Sequence, residues 1–128
     1  MSNPVRWFEI YVQDMKRAKA FYEAVLGLKL QKLAAPASMV ESSLEMWSFP
    51  AEKDGFGCGG ALAKIPGVPS GGMGTIVYFA SKDCAVEEKR LKPAGGKIER
   101  SKMPIGEYGF ITLAIDTEGN MFGIHSMK

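Results

Sequence analysis

Trp7 to Val12 is a run of residues with high strand propensity broken by one carboxylate, and Asp14 follows at a position suited to capping a helix. From Met15 to Leu26 the apolar residues Ala18, Phe21, Tyr22, Val25 and Leu26 recur at helical spacing, with Lys16, Arg17, Lys19 and Glu23 on the other face. Gly27 supplies a helix stop. The chain then repeats itself. Ile76 to Ser81 reads as a strand, Asp83 stands where Asp14 stood, and a helix through Val86, Lys89, Arg90 and Leu91 runs to Gly95-Gly96. Asp14 and Asp83, like Gly27 and Gly96, are related by one offset of 69 residues without a gap, as an internal duplication predicts. After its helix each half continues with strand-like pieces: Lys29–Leu33, Leu44–Phe49 and Cys58–Ala63, then Lys97–Glu99, Phe110–Asp116 and Met121–Ser126. Turn residues agree, with Lys53-Asp54-Gly55 and Thr117-Glu118-Gly119-Asn120 before the last strand of each half. The expected architecture is α+β: one domain, 1–128, built from two βαβββ modules, 5–66 and 73–128.

Alternation sorts the first strand into two faces. Phe8, Ile10 and Val12 form the all-apolar set that packs the helix, which leaves Trp7, Glu9 and Tyr11 on the opposite face. In the repeat Val77 and Phe79 take the helix side, and Ile76 and Tyr78 the other. A carboxylate between two aromatics suits a pocket wall better than a core. A curved sheet with one face on helices and the other lined by Trp7, Glu9, Tyr11 and Tyr78 makes a cup.

Composition narrows the function classes. Sixteen Lys and Arg against fourteen Asp and Glu give a net charge of +2, which is no nucleic-acid footprint. The apolar runs are far shorter than the roughly 20 residues of a membrane span. The segment Met1 to Trp7 has no apolar signal core, so the expected location is cytoplasmic. Cys58 and Cys84 lack metal-ligand spacing and are expected as free thiols in that compartment. The glycine-rich stretch Phe56 to Leu62 lacks the Lys-Ser/Thr ending of a phosphate loop and precedes no helix, so it reads as a strand of small residues. Met39, Met46, Met73, Met103 and Met121 are adaptable fillers of a core or a pocket.

The run Trp7 to Asp14, with Ala20-Phe21-Tyr22 and Val25-Leu26-Gly27-Leu28, resembles the first module of the vicinal oxygen chelate superfamily, the glyoxalase/bleomycin resistance/dioxygenase proteins. Ala94-Gly95-Gly96-Lys97 and Asp116-Thr117-Glu118-Gly119-Asn120 are similar to its second-half signatures, so the likeness spans residues 5 to 126. The resemblance implies two modules forming an open cup, in a homodimer. In metal-dependent members such as lactoylglutathione lyase, each module supplies ligands from its first and last strands. The implied first-strand positions fall on Trp7 and Ile76, and the last-strand position of the second module on Gly123. The matching strand of the first module lies within Phe56 to Lys64, which contains no His, Asp or Glu in any register. A catalytic metal needs about three protein ligands, so this branch is expected to lack the metal, and no other cofactor is implied.

Glu9 and His125, the only histidine, remain as candidate catalytic groups, both facing the cup by parity. Trp7, Tyr11, Trp47 and Tyr78 are candidates for stacking on a ligand. Met103 sits in the segment Ser101 to Gly109, which is expected to be a loop over the cup and could serve as a lid. The leading expectation is metal-independent binding of a small, partly apolar molecule between the modules. The alternatives are a lyase or isomerase using Glu9 as general base, and a lactoylglutathione-lyase-like metalloenzyme. Binding and catalysis both stay open at this point.

Overall fold

The computed structural model describes residues 3–34, 43–72 and 74–128, so Met39 and Met73 lie outside the described residues. The chain order is β1 (Trp7–Tyr11), α1 (Met15–Leu26), β2 (Gln31–Leu33), β3 (Glu45–Ser48), β4 (Gly59–Lys64), β5 (Val77–Ala80), α2 (Cys84–Leu91), β6 (Lys97–Pro104), β7 (Phe110–Ile115) and β8 (Met121–Ser126). Two four-stranded mixed sheets result, ordered β1-β4-β3-β2 and β5-β8-β7-β6. In each, the first strand of the module pairs in parallel with the last, and the other pairings are antiparallel. The two sheets therefore have one topology written twice, as the offset of 69 requires. β2 and β6 are outer edges, exposed over most of their length; an edge of this kind invites a second chain.

Both helices start as their sequences dictate. The Asp14 carboxylate accepts from the N–H of Arg17, and that of Asp83 from the N–H of Ala85, so each satisfies an otherwise orphaned donor. We expect Asp14→Ala and Asp83→Ala each to cost about 1 kcal/mol in urea unfolding, and equal stability of wild type and both variants would remove the caps from this account. The ends differ. α1 stops on Gly27 in the left-handed region, at φ 67°. α2 stops at Leu91 ahead of Pro93, which has no N–H for the next bond, and Gly95, at φ 98°, and Gly96 close its end by donating their N–H groups to the Lys92 and Leu91 carbonyls. Gly96 is also confined by packing. A β-carbon there would lie 2.6 Å from the Phe21 ring and 2.9 Å from the Ile115 carbonyl oxygen, so its small size admits α1 to the second module. Val86 lies in α2, as expected, and is exposed; Cys84 and Leu91 carry the buried face.

One core serves both halves. Ala18, Phe21, Tyr22 and Val25 of α1 are buried together with Ile10, Leu62, Leu91, Phe122 and Ile124. Aromatic contacts cross the module boundary: Phe8 meets Phe79 at 6.0 Å, and Tyr22 meets Phe122 at 5.3 Å between ring centres. Such contacts, with side chains this large, dominate core energetics. Each sheet thus gives its helix-side face to a shared core and leaves the other face free of helices.

The segment Ser101 to Gly109 departs from the loop expected of it. Residues 101–104 continue β6, with register shifts against β7 between Ile98 and Arg100 and between Arg100 and Met103. Only a short hairpin tip remains, one 3-10 turn at Gly106–Tyr108 closed by Ile105 N–H donating to the Gly109 carbonyl at 2.8 Å. The bulges hid the strand, because they interrupt the alternation by which it would be recognised.

Candidate functional site

On the helix-free face of the first sheet, Trp7, Glu9 and Tyr11 stand together as parity predicts. Trp7 Nε1–H donates to Glu9 Oε2 at 3.1 Å, and the Tyr11 hydroxyl donates to Glu9 Oε1 at 2.8 Å. Both carboxylate oxygens are thus held by ring donors on the same strand. The bond to Glu9 raises the Tyr11 phenol above its usual pKa, and burial adds to it, so the hydroxyl stays a donor. Glu9 and Tyr11 line a cavity of about 260 Å³ at the sheet junction, with Thr75, Val77 and Met121 opposite. Trp7 lines a different hollow, of about 760 Å³, between the N-terminal segment and the loop before β4, where Arg6 and Lys53 stand beside the fully exposed Phe56.

Trp47 does not share this face. It pairs across the sheet with Leu62, which pairs in turn with Ile10, so all three point to the helices. Its ring lies under Lys19 of α1, 4.8 Å from the ammonium, and its Nε1–H donates to Glu45. The strand assignment of the residue was right, but its face needed the pairing register, which the sequence of β3 alone does not fix.

On the second sheet the register aligns Ala80, His125, Ile111 and Met103 in one row across four strands, and Tyr78, Gly123, Leu113 and Arg100 in the next. Tyr78, Ala80, Ile105, Tyr108, Ile111 and His125 surround a hollow of about 470 Å³. Tyr78 is 47% and Tyr108 68% exposed, so their rings are available to a ligand. His125 Nε2 lies 2.6 Å from the Tyr108 carbonyl oxygen. A carbonyl only accepts, so Nε2 carries the proton. This bond ties the hairpin tip to β8. Glu9 and His125 line different hollows and are not brought together.

The metal positions implied by the family likeness can now be placed. Tyr78 pairs with Gly123, and its counterpart one offset earlier, Glu9, pairs with Ala61, which locates the unassigned fourth position on Ala61. Trp7, Ala61, Ile76 and Gly123 offer no donor set for a divalent ion. Among the described residues, no three His, Cys, Asp or Glu side chains gather to hold one. Gly123 has a positive reason to be glycine: a β-carbon there would overlap the Tyr78 ring. An aromatic ring occupies the space that a ligating side chain would need.

A group that sequence reasoning took for a turn carries the inter-module joint. Glu118 Oε1 accepts from the N–H groups of Gln13 and Asp14, both at 2.9 Å, and its carboxylate takes two bonds from the Arg17 guanidinium. Burial pushes its pKa up, but Arg17, the Asp14 N–H, the Thr117 hydroxyl and the Gln13 N–H outweigh that and hold it at about 2. Beside it, Asp116 accepts from the buried Tyr22 hydroxyl at 2.6 Å and from the N–H groups of Glu118 and Asn120, while Asn120 reaches the Tyr11 carbonyl. Burial first, and the neighbouring Asp116 charge after it, raise the Tyr22 phenol well above its usual value. Contacts more than 90 residues apart leave no mark in local pattern.

The family model described as Bleomycin resistance protein-like N-terminal matches residues 5–41. Glyoxalase I from Zea mays superposes with a TM-score of 0.71 at 22% identity, over 94% of this chain and 43% of the maize chain. A member of the glyoxalase/bleomycin resistance protein/dioxygenase superfamily from Sphaerobacter thermophilus superposes with a TM-score of 0.68 at 20% identity, over 98% of both chains. The chain carries the vicinal oxygen chelate fold. A glyoxalase/bleomycin resistance protein from Albidiferax ferrireducens shares that fold, with a TM-score of 0.64 at 20% identity over 97% of this chain and 98% of the other. No curated protein matches the sequence. The chain spans less than half the length of the maize glyoxalase I chain. Among the described residues no helix is long and apolar enough to cross a membrane.

Proposed function

We propose that this chain is a metal-independent binding protein of the vicinal oxygen chelate fold, holding a small, partly apolar molecule on the helix-free side of its second module. The observation that carries the reading is Tyr78 lying against Gly123, the ring walling a hollow of about 470 Å³ whose other sides are apolar or aromatic. That volume is in the range of small-ligand sites, roughly 300 to 1,000 Å³. Tyr78, His125 and Ile111 come from three adjacent strands of one sheet, which fixes their backbone positions relative to one another. Met103 extends the same row outward. A second copy of the chain closing on the exposed edges of β2 and β6 would leave this face accessible.

Glu9 serves in this reading as an anchor for Trp7 and Tyr11 and as the polar floor of the junction cavity. Its use as a general base receives no support from a partner acid, because His125 lines another hollow. Thermal shift with planar aromatic probes at 1 mM tests the binding reading. A probe with a Kd near 0.1 mM raises stability by about 1.4 kcal/mol, roughly 5 °C in Tm for a domain of this size. Tyr78→Ala is expected to remove that rise while Glu9→Gln leaves it. A panel in which nothing stabilises the wild-type chain overturns the proposal.

A further inference from the structure

The hollow beside Tyr78 has a chemical preference that follows from one proton. His125 Nε2–H is committed to the Tyr108 carbonyl at 2.6 Å, so the neutral imidazole keeps its lone pair on Nδ1. Among the described residues Nδ1 has no hydrogen-bond partner, and it is not one of a set of buried unsatisfied atoms, so it remains open to solvent or to a ligand. Among the described residues, those around the hollow include no Asp, Glu, Lys or Arg. A charged ligand there would give up hydration with no counter-charge in return. Two tyrosine rings and the Ile105 and Ile111 side chains offer flat apolar contact instead.

Resting on the binding site proposed above, we infer that its occupant is an uncharged planar aromatic carrying one hydroxyl or N–H donor, which stacks on Tyr78 and donates to His125 Nδ1. The hairpin tip enforces the tautomer. Gly106 at φ 68° and Gly109 at φ 103° turn the chain so that the Tyr108 carbonyl faces β8. Gly109 is also pressed against the Ser126 carbonyl and the Met127 backbone, which locks the tip in place. His125 is thus a positioning residue twice over, holding one wall of the hollow with Nε2 and reading the ligand with Nδ1.

2-Naphthol and 2-fluoronaphthalene differ in little but the donor, and titrating each into the ¹⁵N-labelled full chain at mildly alkaline pH separates the possibilities. Both are expected to shift the amide resonances of Tyr78, Ile111 and His125, with 2-naphthol binding roughly fivefold to tenfold more tightly, as one net hydrogen bond allows. Ring ¹⁵N spectra of the wild-type chain are expected to show His125 protonated on Nε2, and an Nδ1 resonance that moves with 2-naphthol alone. His125→Phe is expected to equalise the two affinities. Equal affinities in the wild type, or a proton found on Nδ1 with Nε2 bare, overturn the donor inference while leaving the site standing. If neither probe moves those amides, the binding site itself is overturned.

Discussion

Glu118→Ala is expected to cost about 3 to 4 kcal/mol and to lower Tm by more than 10 °C. The residue is 7% exposed, yet its carboxylate satisfies two backbone donors ahead of α1 and the Arg17 guanidinium. Removing it strips those N–H groups of their partner. Glu118→Gln keeps an acceptor and loses the charge, so it separates the electrostatic part. The carboxyl sits at about 2 in the folded chain against 4.5 for an ordinary glutamate, so the unfolded chain binds the proton first as pH falls. The stabilisation is therefore complete above pH 4.5 and is lost progressively as pH drops toward 2. A shift of that size corresponds to about 3 kcal/mol, which solvent screening at the half-exposed Arg17 cuts to about 2. Urea unfolding of wild type and Glu118→Gln at a series of pH values should show a gap of about 2 kcal/mol at neutral pH that closes in acid. A gap of constant width would mean that the charge contributes nothing.

That joint marks the limit of what the sequence displays. The duplication was legible because both halves repeat the same local physics: an aspartate cap, a helix face and a strand whose alternation separates Phe8 and Ile10 from Trp7, Glu9 and Tyr11. Parity is a property of one strand, and it placed the Trp7-Glu9-Tyr11 group without reference to any partner. Trp47 was misplaced because its face is set by which residue of β4 it pairs with. β6 was cut short because its bulges break the period. The joining role of Glu118 and Asp116 was not visible in the sequence, since their bonds to Arg17 and Tyr22 join segments about 100 residues apart. Gly27 and Gly96 show how one pattern can hide two causes. The first needs a left-handed backbone and the second needs the absence of a side chain against Phe21.

The close approach of the Tyr78 ring to Gly123 is open to a sharper test. Gly123→His would place an imidazole where the family's last-strand ligand is expected, two residues before His125 on the same face of β8. The side chain cannot enter while Tyr78 stays, because even a methyl group at 123 overlaps the ring. Tyr78 is nearly half exposed, so it is expected to swing outward, exposing its ring and disordering one wall of the hollow. We expect a loss of about 2 kcal/mol from this overpacking and complete loss of aromatic probe binding. In a Tyr78→Ala background the obstacle is gone, and Gly123→His should then be close to neutral for stability. The double-mutant cycle thus isolates the contact between ring and backbone, with an expected coupling of about 1 to 2 kcal/mol. Additive costs would show that Gly123 is small for some reason unconnected with Tyr78. A strong coupling, with binding lost in every variant that moves the ring, means that ring and glycine act as one unit: the absence of a side chain at position 123 admits the aromatic surface on which a ligand can lie.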